Sequence, residues 1–212
     1  MAIGLAQGVH AVVIGDDMVF LDVEADSYLC LVAVADRIAL SDDGRLDGAA
    51  DAVQTLLAAG LACAQDVARP VTTRAMPTQD LPWDGRGPER REIVAALAAS
   101  LSTAIAFRRQ TFSQLLQSAR RGRPLSPPSD DTVAAEAAFA FMRLRPWLPI
   151  GGACFKRSYL LLTYLHRLGL DADWVIGVRT WPFHAHCWLQ AGGVPLDDDV
   201  ERLAAYTPIL RV

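Results

Sequence analysis

The stretch GGACFKRSYLLLTYLHRLGL, residues 151–170, sets Cys154 directly behind two glycines and at the head of an apolar helical pattern. A cysteine in the first helical turn meets backbone N–H groups that have no intrahelical partner. Those donors and the positive end of the helix dipole favour a thiolate over a thiol. Gly151 and Gly152 leave room for a substrate backbone to come close. The competing reading makes Cys154 a small buried hydrophobe heading the core face of Tyr159, Leu160, Leu161, Leu162 and Leu165.

A thiolate nucleophile needs a histidine within reach and a third group to orient the ring. His10 belongs to a strand near the N-terminus, and His166 lies more than three turns along the same helix as Cys154, too far to meet it. His184 and His186, in FHAHCWLQ, remain. Residues two apart on a strand share a face, so either can serve and the pattern does not choose. Trp188 shares that face and can shield a catalytic pair from water. The acid then comes from Asp197, Asp198 or Asp199, just past the Gly192-Gly193 turn. The order Cys, His, Asp, with the cysteine opening a helix, is that of papain-like and transglutaminase-like folds.

Zinc is the rival chemistry, with His184, His186, Cys187 and Cys154 as ligands. Cys187 alternates away from both histidines on a strand, and the paired spacings usual in structural zinc sites are absent, so no metal is expected. Cys30, Cys63 and Cys187 read as buried thiols. A net charge of −4 gives no electrostatic case for nucleic acid. The opening MAIGLAQGVH lacks a basic signal-peptide start, and no apolar run nears the roughly 20 residues of a membrane span. A cytoplasmic protein without membrane or nucleic-acid partners is expected.

Two segments must position this chemistry. Val9–Ile14, Met18–Asp22 and Ser27–Leu31 read as short strands separated by Gly/Asp turns. Val32–Ala39 then reads as helical, and Asp47 caps a second helix running to Leu61, with Val53, Leu56 and Leu57 on one face. Residues 1–65 thus form a small three-stranded sheet with helices. Residues 66–90, with four prolines and two glycines, read as a linker or surface arm whose arginines face solvent. Residues 91–212 hold helical periodicity from Glu92 to about Arg121, a helix capped by Asp130 or Asp131, the Cys154 helix, and strands at 173–180, 184–190 and 194–196. Helices followed by strands give an α+β class.

ACFKRSYLLLTYLHRLGLDADWVIGV followed by HAHCWLQAGGVPLDDD resembles the lasso-peptide maturation proteases, the transglutaminase-like cysteine peptidases called B proteins. Cys154, Arg157 and Ser158 match the family's Cys-x-x-Arg-Ser block, and Ala185, His186, Trp188, Leu189 and Gln190 match its second. Gln190 departs from the more common glutamate, and Cys187 from a small residue. The resemblance selects His186 over His184 and implies Cys154, His186 and Asp198 as the triad, with Asp197 as the alternative acid. AVVIGDDMVFLDVEADSYLCL, with the helices ending LLAAGLA, resembles the PqqD-like, winged-helix-type domain that recognises leader peptides.

The combined resemblance implies a leader peptidase whose first domain takes the precursor's leader by strand addition at Tyr28, Leu29 and Cys30, against Val53, Leu56 and Leu57. It implies no cofactor of the protein's own. ATP would enter through a partner cyclase, the macrolactam synthetase that receives the freed core. Two other readings stand beside it: acyl transfer to an amine, and a non-catalytic peptide-binding scaffold.

Overall fold

The computed structural model describes residues 3–64, 76–81, 86–125, 131–149 and 151–212. Expectations for 66–75, for 82–85 and for a cap at Asp130 or Asp131 lie outside the described residues. The chain is α+β and divides into two compact units. The first takes the described residues up to 64 together with 177–185 and 207–210. The second takes those from 76 to 176 together with 186–206 and 211–212.

In the first unit β1 (Gly4–Leu5) leads into β2 (Val9–Ile14), β3 (Asp17–Asp22) and β4 (Ser27–Leu31), a three-stranded antiparallel sheet in the order β2-β3-β4. The register runs from Val9↔Asp22 to Ile14↔Asp17 and from Met18↔Leu31 to Asp22↔Ser27. Gly15, at φ +59, makes the first hairpin turn at no steric cost. Met18, Val19, Phe20 and Leu21 are all fully buried, so β3 is covered on both faces. Val9, Ala11, Met18 and Phe20 join Ile38, Leu46, Leu56 and Leu61 in one core cluster.

The segment after β4 departs from the sequence reading. Val32–Ala39 is not a helix: the N–H of Ala33, at φ +53, donates to Asp17 Oδ1 at 3.0 Å. Those of Val34 and Ala35 donate to the carbonyl of Asp16. These acceptors hold the chain in a turn that ends in β5 (Ile38–Leu40), paired with β6 (Leu46–Gly48). Asp47 is therefore a strand residue, and α1 (Ala50–Ala58) begins later, behind Ala49, with no side-chain cap. Gly48 is required there, because a β-carbon would run into the carbonyl oxygen of Arg37. The helix closes as expected at Gly60 (φ +73), where the Leu61 N–H returns to the Leu56 carbonyl. β7 (Ala62–Cys63) pairs with β1.

The second unit is built on helices. The expected run from Glu92 to Arg121 is two helices, α2 (Arg90–Arg109) and α3 (Phe112–Gly122). Gln110 is extended, and Thr111 and Gln114 form a capping box that restarts the helix. At the start of α2, buried Glu92 accepts two bonds from the Arg86 guanidinium (2.7 and 2.9 Å) and one from the Glu89 N–H. Arg86 thus anchors a helix, where the sequence suggested a solvated arginine. Then come α4 (Asp131–Leu144), a 3-10 turn (Arg145–Trp147) and α5 (Cys154–Arg167), which packs on α2, α3 and α4. The strands β8 (Asp173–Arg179), β9 (His184–Ala191), β10 (Val194–Pro195) and β11 (Thr207–Arg211) form a sheet in the order β10-β9-β8-β11, with α6 (Val200–Leu203) before β11. No described helix is long and apolar enough to cross a membrane.

Candidate active site

Cys154 is the first residue of α5, behind Ala153, whose side chain caps nothing. The first N–H groups of the helix with backbone partners are those of Lys156 and Arg157, both donating to the Ala153 carbonyl. Those of Cys154 and Phe155 precede them, at the positive end of a 14-residue helix. Gly151 has open space where a β-carbon would stand, and Gly152 holds φ +147, a conformation that suits glycine.

Ser158 fixes this first turn. Its hydroxyl lies 2.9 Å from the Cys154 carbonyl, as donor, and accepts the indole N–H of Trp174 of β8 at 2.8 Å. Phe155 stacks on the same indole at 4.8 Å between centroids. Ser158 and Trp174 are both fully buried. Ser158→Ala strands a buried indole N–H, so we expect a stability loss of roughly 1–3 kcal/mol in urea unfolding. Cys154 reactivity should fall with it, as the turn loosens.

His186 sits on β9, 2% exposed, and donates from Nε2 to Asp198 Oδ2 at 2.5 Å. The imidazole also hydrogen-bonds Cys154. The near-parallel ring of Trp188 lies 6.3 Å from the imidazole and that of Tyr206 5.2 Å from it. Trp188, Tyr206, Val175 and Leu203 share one core cluster, so the ring is walled off from water on those sides. Trp188 is held by Gln190, fully buried, which accepts the indole N–H at 3.0 Å. His184, two residues earlier, is exposed.

Three aspartates, three situations. Asp198 meets His186 and also accepts the Asp199 N–H, with Arg202 at 3.6 Å. Burial alone would raise its pKa, but the His186 hydrogen bond and these neighbours hold the carboxyl below its ordinary value. Asp197 does not face the ring as partner; its Oδ1 accepts the Leu189 N–H at 2.8 Å. Burial, with repulsion from Asp198, pushes it up to about 7. Asp199 is exposed and precedes α6, whose first N–H, of Val200, is taken by Asp80 at 2.9 Å.

Cys187 is buried, as expected, and its thiol and backbone N–H bond to the Cys154 sulfur, a contact the sequence reading did not foresee. β10 pairs only with Gln190 and Ala191, which leaves β9 without that neighbour at Cys187.

The charges follow. The Cys187 thiol hydrogen bond first, then the imidazole of His186, outweigh burial and pull Cys154 down to about 3. Burial works against charging His186, but Asp198 and then Cys154 lift it to about 9. Cys187 is pushed well above its ordinary value by bonding to that thiolate and by burial, so it remains an S–H donor. The site holds a thiolate–imidazolium pair at neutral pH. Such a pair can attack a carbonyl carbon and protonate the leaving group. Among the described residues no three His, Cys, Asp or Glu side chains are grouped to hold a metal ion.

The six residues expected to take a peptide lie in the first unit. Tyr28, Leu29 and Cys30 are on β4, the edge of its sheet, with Leu29 43% exposed. Tyr28 packs against Phe183, ring centroids 5.5 Å apart. Val53 and Leu56 are buried and Leu57 is partly buried against the core. Val53 and Leu56 therefore support the helix from below and do not line an open surface.

The sequence of the microcin J25-processing protein McjB of Escherichia coli is 44% identical over 45 residues, spanning 21% of this chain and 22% of McjB. No solved structure matches. Residues 97–211, which carry Cys154, His186 and Asp198, match the transglutaminase-like superfamily over more than half of the sequence, and the chain belongs to that superfamily.

Proposed function

We propose that the protein is a leader peptidase of lasso-peptide biosynthesis, with Cys154 as nucleophile, His186 as acid and base, and Asp198 orienting the imidazole. The observation that carries this reading is the His186–Asp198 hydrogen bond on β9 together with Cys154 at the head of α5, in contact with that imidazole. The similarity to McjB, a processing protein of a microcin, points to the substrate class.

Cys154 Sγ attacks the carbonyl carbon at the leader–core junction, and the N–H groups opening α5 face the developing oxyanion. His186 gives its Nδ1 proton to the leaving nitrogen. The core departs with a free N-terminal amine, and the leader stays on sulfur as a thioester. His186 then takes a proton from water, the hydroxide adds to the thioester carbonyl, and the leader leaves as a carboxylic acid, which ionises to solvent, while the thiolate re-forms. The freed amine is what a macrolactam synthetase needs, so an ATP-using cyclase is the proposed partner and the peptidase itself needs no cofactor.

The first unit serves as the PqqD-like leader-recognition domain. The edge of β4 offers main-chain partners to an extended leader. Leu29, with Tyr28, Cys30 and Leu57 around it, supplies side-chain contact above the Val53 and Leu56 support. Holding the leader makes the chemical step effectively intramolecular. Core peptide extended by only a few leader residues should therefore be cut at least about 100-fold more slowly than full precursor at equal low concentration.

The test is mass spectrometry of a lasso-peptide precursor after incubation with the protein. Leader and core fragments that differ from the precursor by one added water support the peptidase. An amide-linked adduct with an added amine, and no free core, would replace it with an acyl transferase.

A further inference from the structure

The β9–β10 ladder ends after Leu196, and the next residue is Asp197. Val194 lies opposite Ala191 and Pro195 opposite Gln190, so Leu196 falls opposite Leu189. The Leu196 N–H donates to the Leu189 carbonyl at 2.8 Å, as an antiparallel hydrogen-bonded pair requires. The return bond, from the Leu189 N–H, would ordinarily go to the Leu196 carbonyl. Instead it goes to Asp197 Oδ1 at 2.8 Å.

A side chain has taken the place of a main-chain acceptor. The backbone after Leu196 is thereby free to leave the sheet. Two consequences meet at Cys154. Asp198 turns in to His186 Nε2 at 2.5 Å instead of continuing along β9. The Cys187 N–H, on the same edge as the Leu189 N–H because backbone donors alternate along a strand, remains for the Cys154 sulfur. Had β10 run on, residues 197 and 198 would have covered that edge.

We infer that Asp197 is a positioning residue for the reaction proposed above, ending the β9–β10 ladder so that Asp198 reaches His186 and Cys154 reaches the open edge of β9. The role belongs to an oxygen acceptor at this position, not to its charge. Asparagine keeps that oxygen at the same reach; alanine removes it and lets the Leu189 N–H return to the Leu196 carbonyl.

The inference rests on Cys154 being an activated thiol, and alkylation tests the two separately. The full chain, its Asp197→Asn and Asp197→Ala variants, and Asp198→Asn are treated with iodoacetamide at about pH 5, where an ordinary thiol is almost wholly protonated. The modified cysteine is identified by peptide mapping. Wild type and Asp197→Asn should label Cys154 within about twofold of each other. Asp197→Ala and Asp198→Asn should each fall by about tenfold or more, with the alanine variant folded by circular dichroism. Slow labelling of wild-type Cys154 would remove the nucleophile itself. Fast labelling of wild type together with unchanged labelling of Asp197→Ala would overturn the positioning role alone. So would a loss in Asp197→Asn equal to that in Asp198→Asn, a comparison that stands even if the alanine variant does not fold.

Discussion

Cys154→Ala should lose precursor cleavage by roughly 10⁴–10⁶-fold in kcat/KM while binding the precursor as wild type does. The size follows from what one sulfur does in the proposed reaction. It is the attacking atom, the carrier of the acyl group and the counter-ion that helps hold the His186 proton. No second group inherits these tasks: Cys187 lies beside it, but its thiol is held well above its ordinary pKa and is buried. Alanine is the best helix former and Cys154 is only half-buried at the helix start, so α5 should persist unchanged. Leader binding is proposed for the first unit and should then survive, which separates a catalytic loss from a folding one. Precursor affinity by fluorescence anisotropy, read beside the rate, makes that separation.

The second large effect is Asp198→Asn. The proposed reaction needs Cys154 deprotonated and His186 protonated. The thiolate is lost as pH falls through about 3, and the imidazolium is lost as pH rises through about 9. Activity should therefore hold a broad plateau between those limits and fall on both sides. Asparagine removes the negative partner that raises His186. The alkaline limb must then move down toward neutral pH, while burial, which disfavours the charged ring, pushes the same way. An asparagine that turns its amide N–H₂ toward the ring also disturbs its proton placement, and kcat/KM on the plateau should drop by about 10²–10⁴-fold. A variant that lost rate without a shift of the alkaline limb would mean that Asp198 does not set the His186 proton.

Much of the site was legible because its chemistry is local. A cysteine behind two glycines, a histidine strand and an acidic turn are each visible in a short window. The residues that join them act across long separations, and no window contains both partners. Ser158 meets Trp174 through 16 residues, and Asp80 caps a helix 120 residues away. Tyr206, against the imidazole, lies in a stretch that carries no motif. The choice between Asp197 and Asp198 turned on where a β ladder ends, which depends on a side chain replacing a carbonyl.

The fold shows the same division. β2, β3 and β4 follow alternation and Gly/Asp turns, and the strand limits came within a residue. Val32–Ala39 carries helical periodicity, yet Asp16 and Asp17 take its first N–H groups and a turn forms instead. Periodicity also ran unbroken through Gln110, where only the Thr111–Gln114 capping box reveals that one helix ends and another begins.

The account stands most directly on a thioester between Cys154 and the leader. Intact-mass measurement of the protein, acid-quenched within seconds of mixing with full-length precursor, should show an added mass equal to the leader less one water. Peptide mapping should place it on Cys154, while free core accumulates. Core release with no covalent species at any quench time, from a Cys154→Ala variant as fast as from wild type, would contradict it.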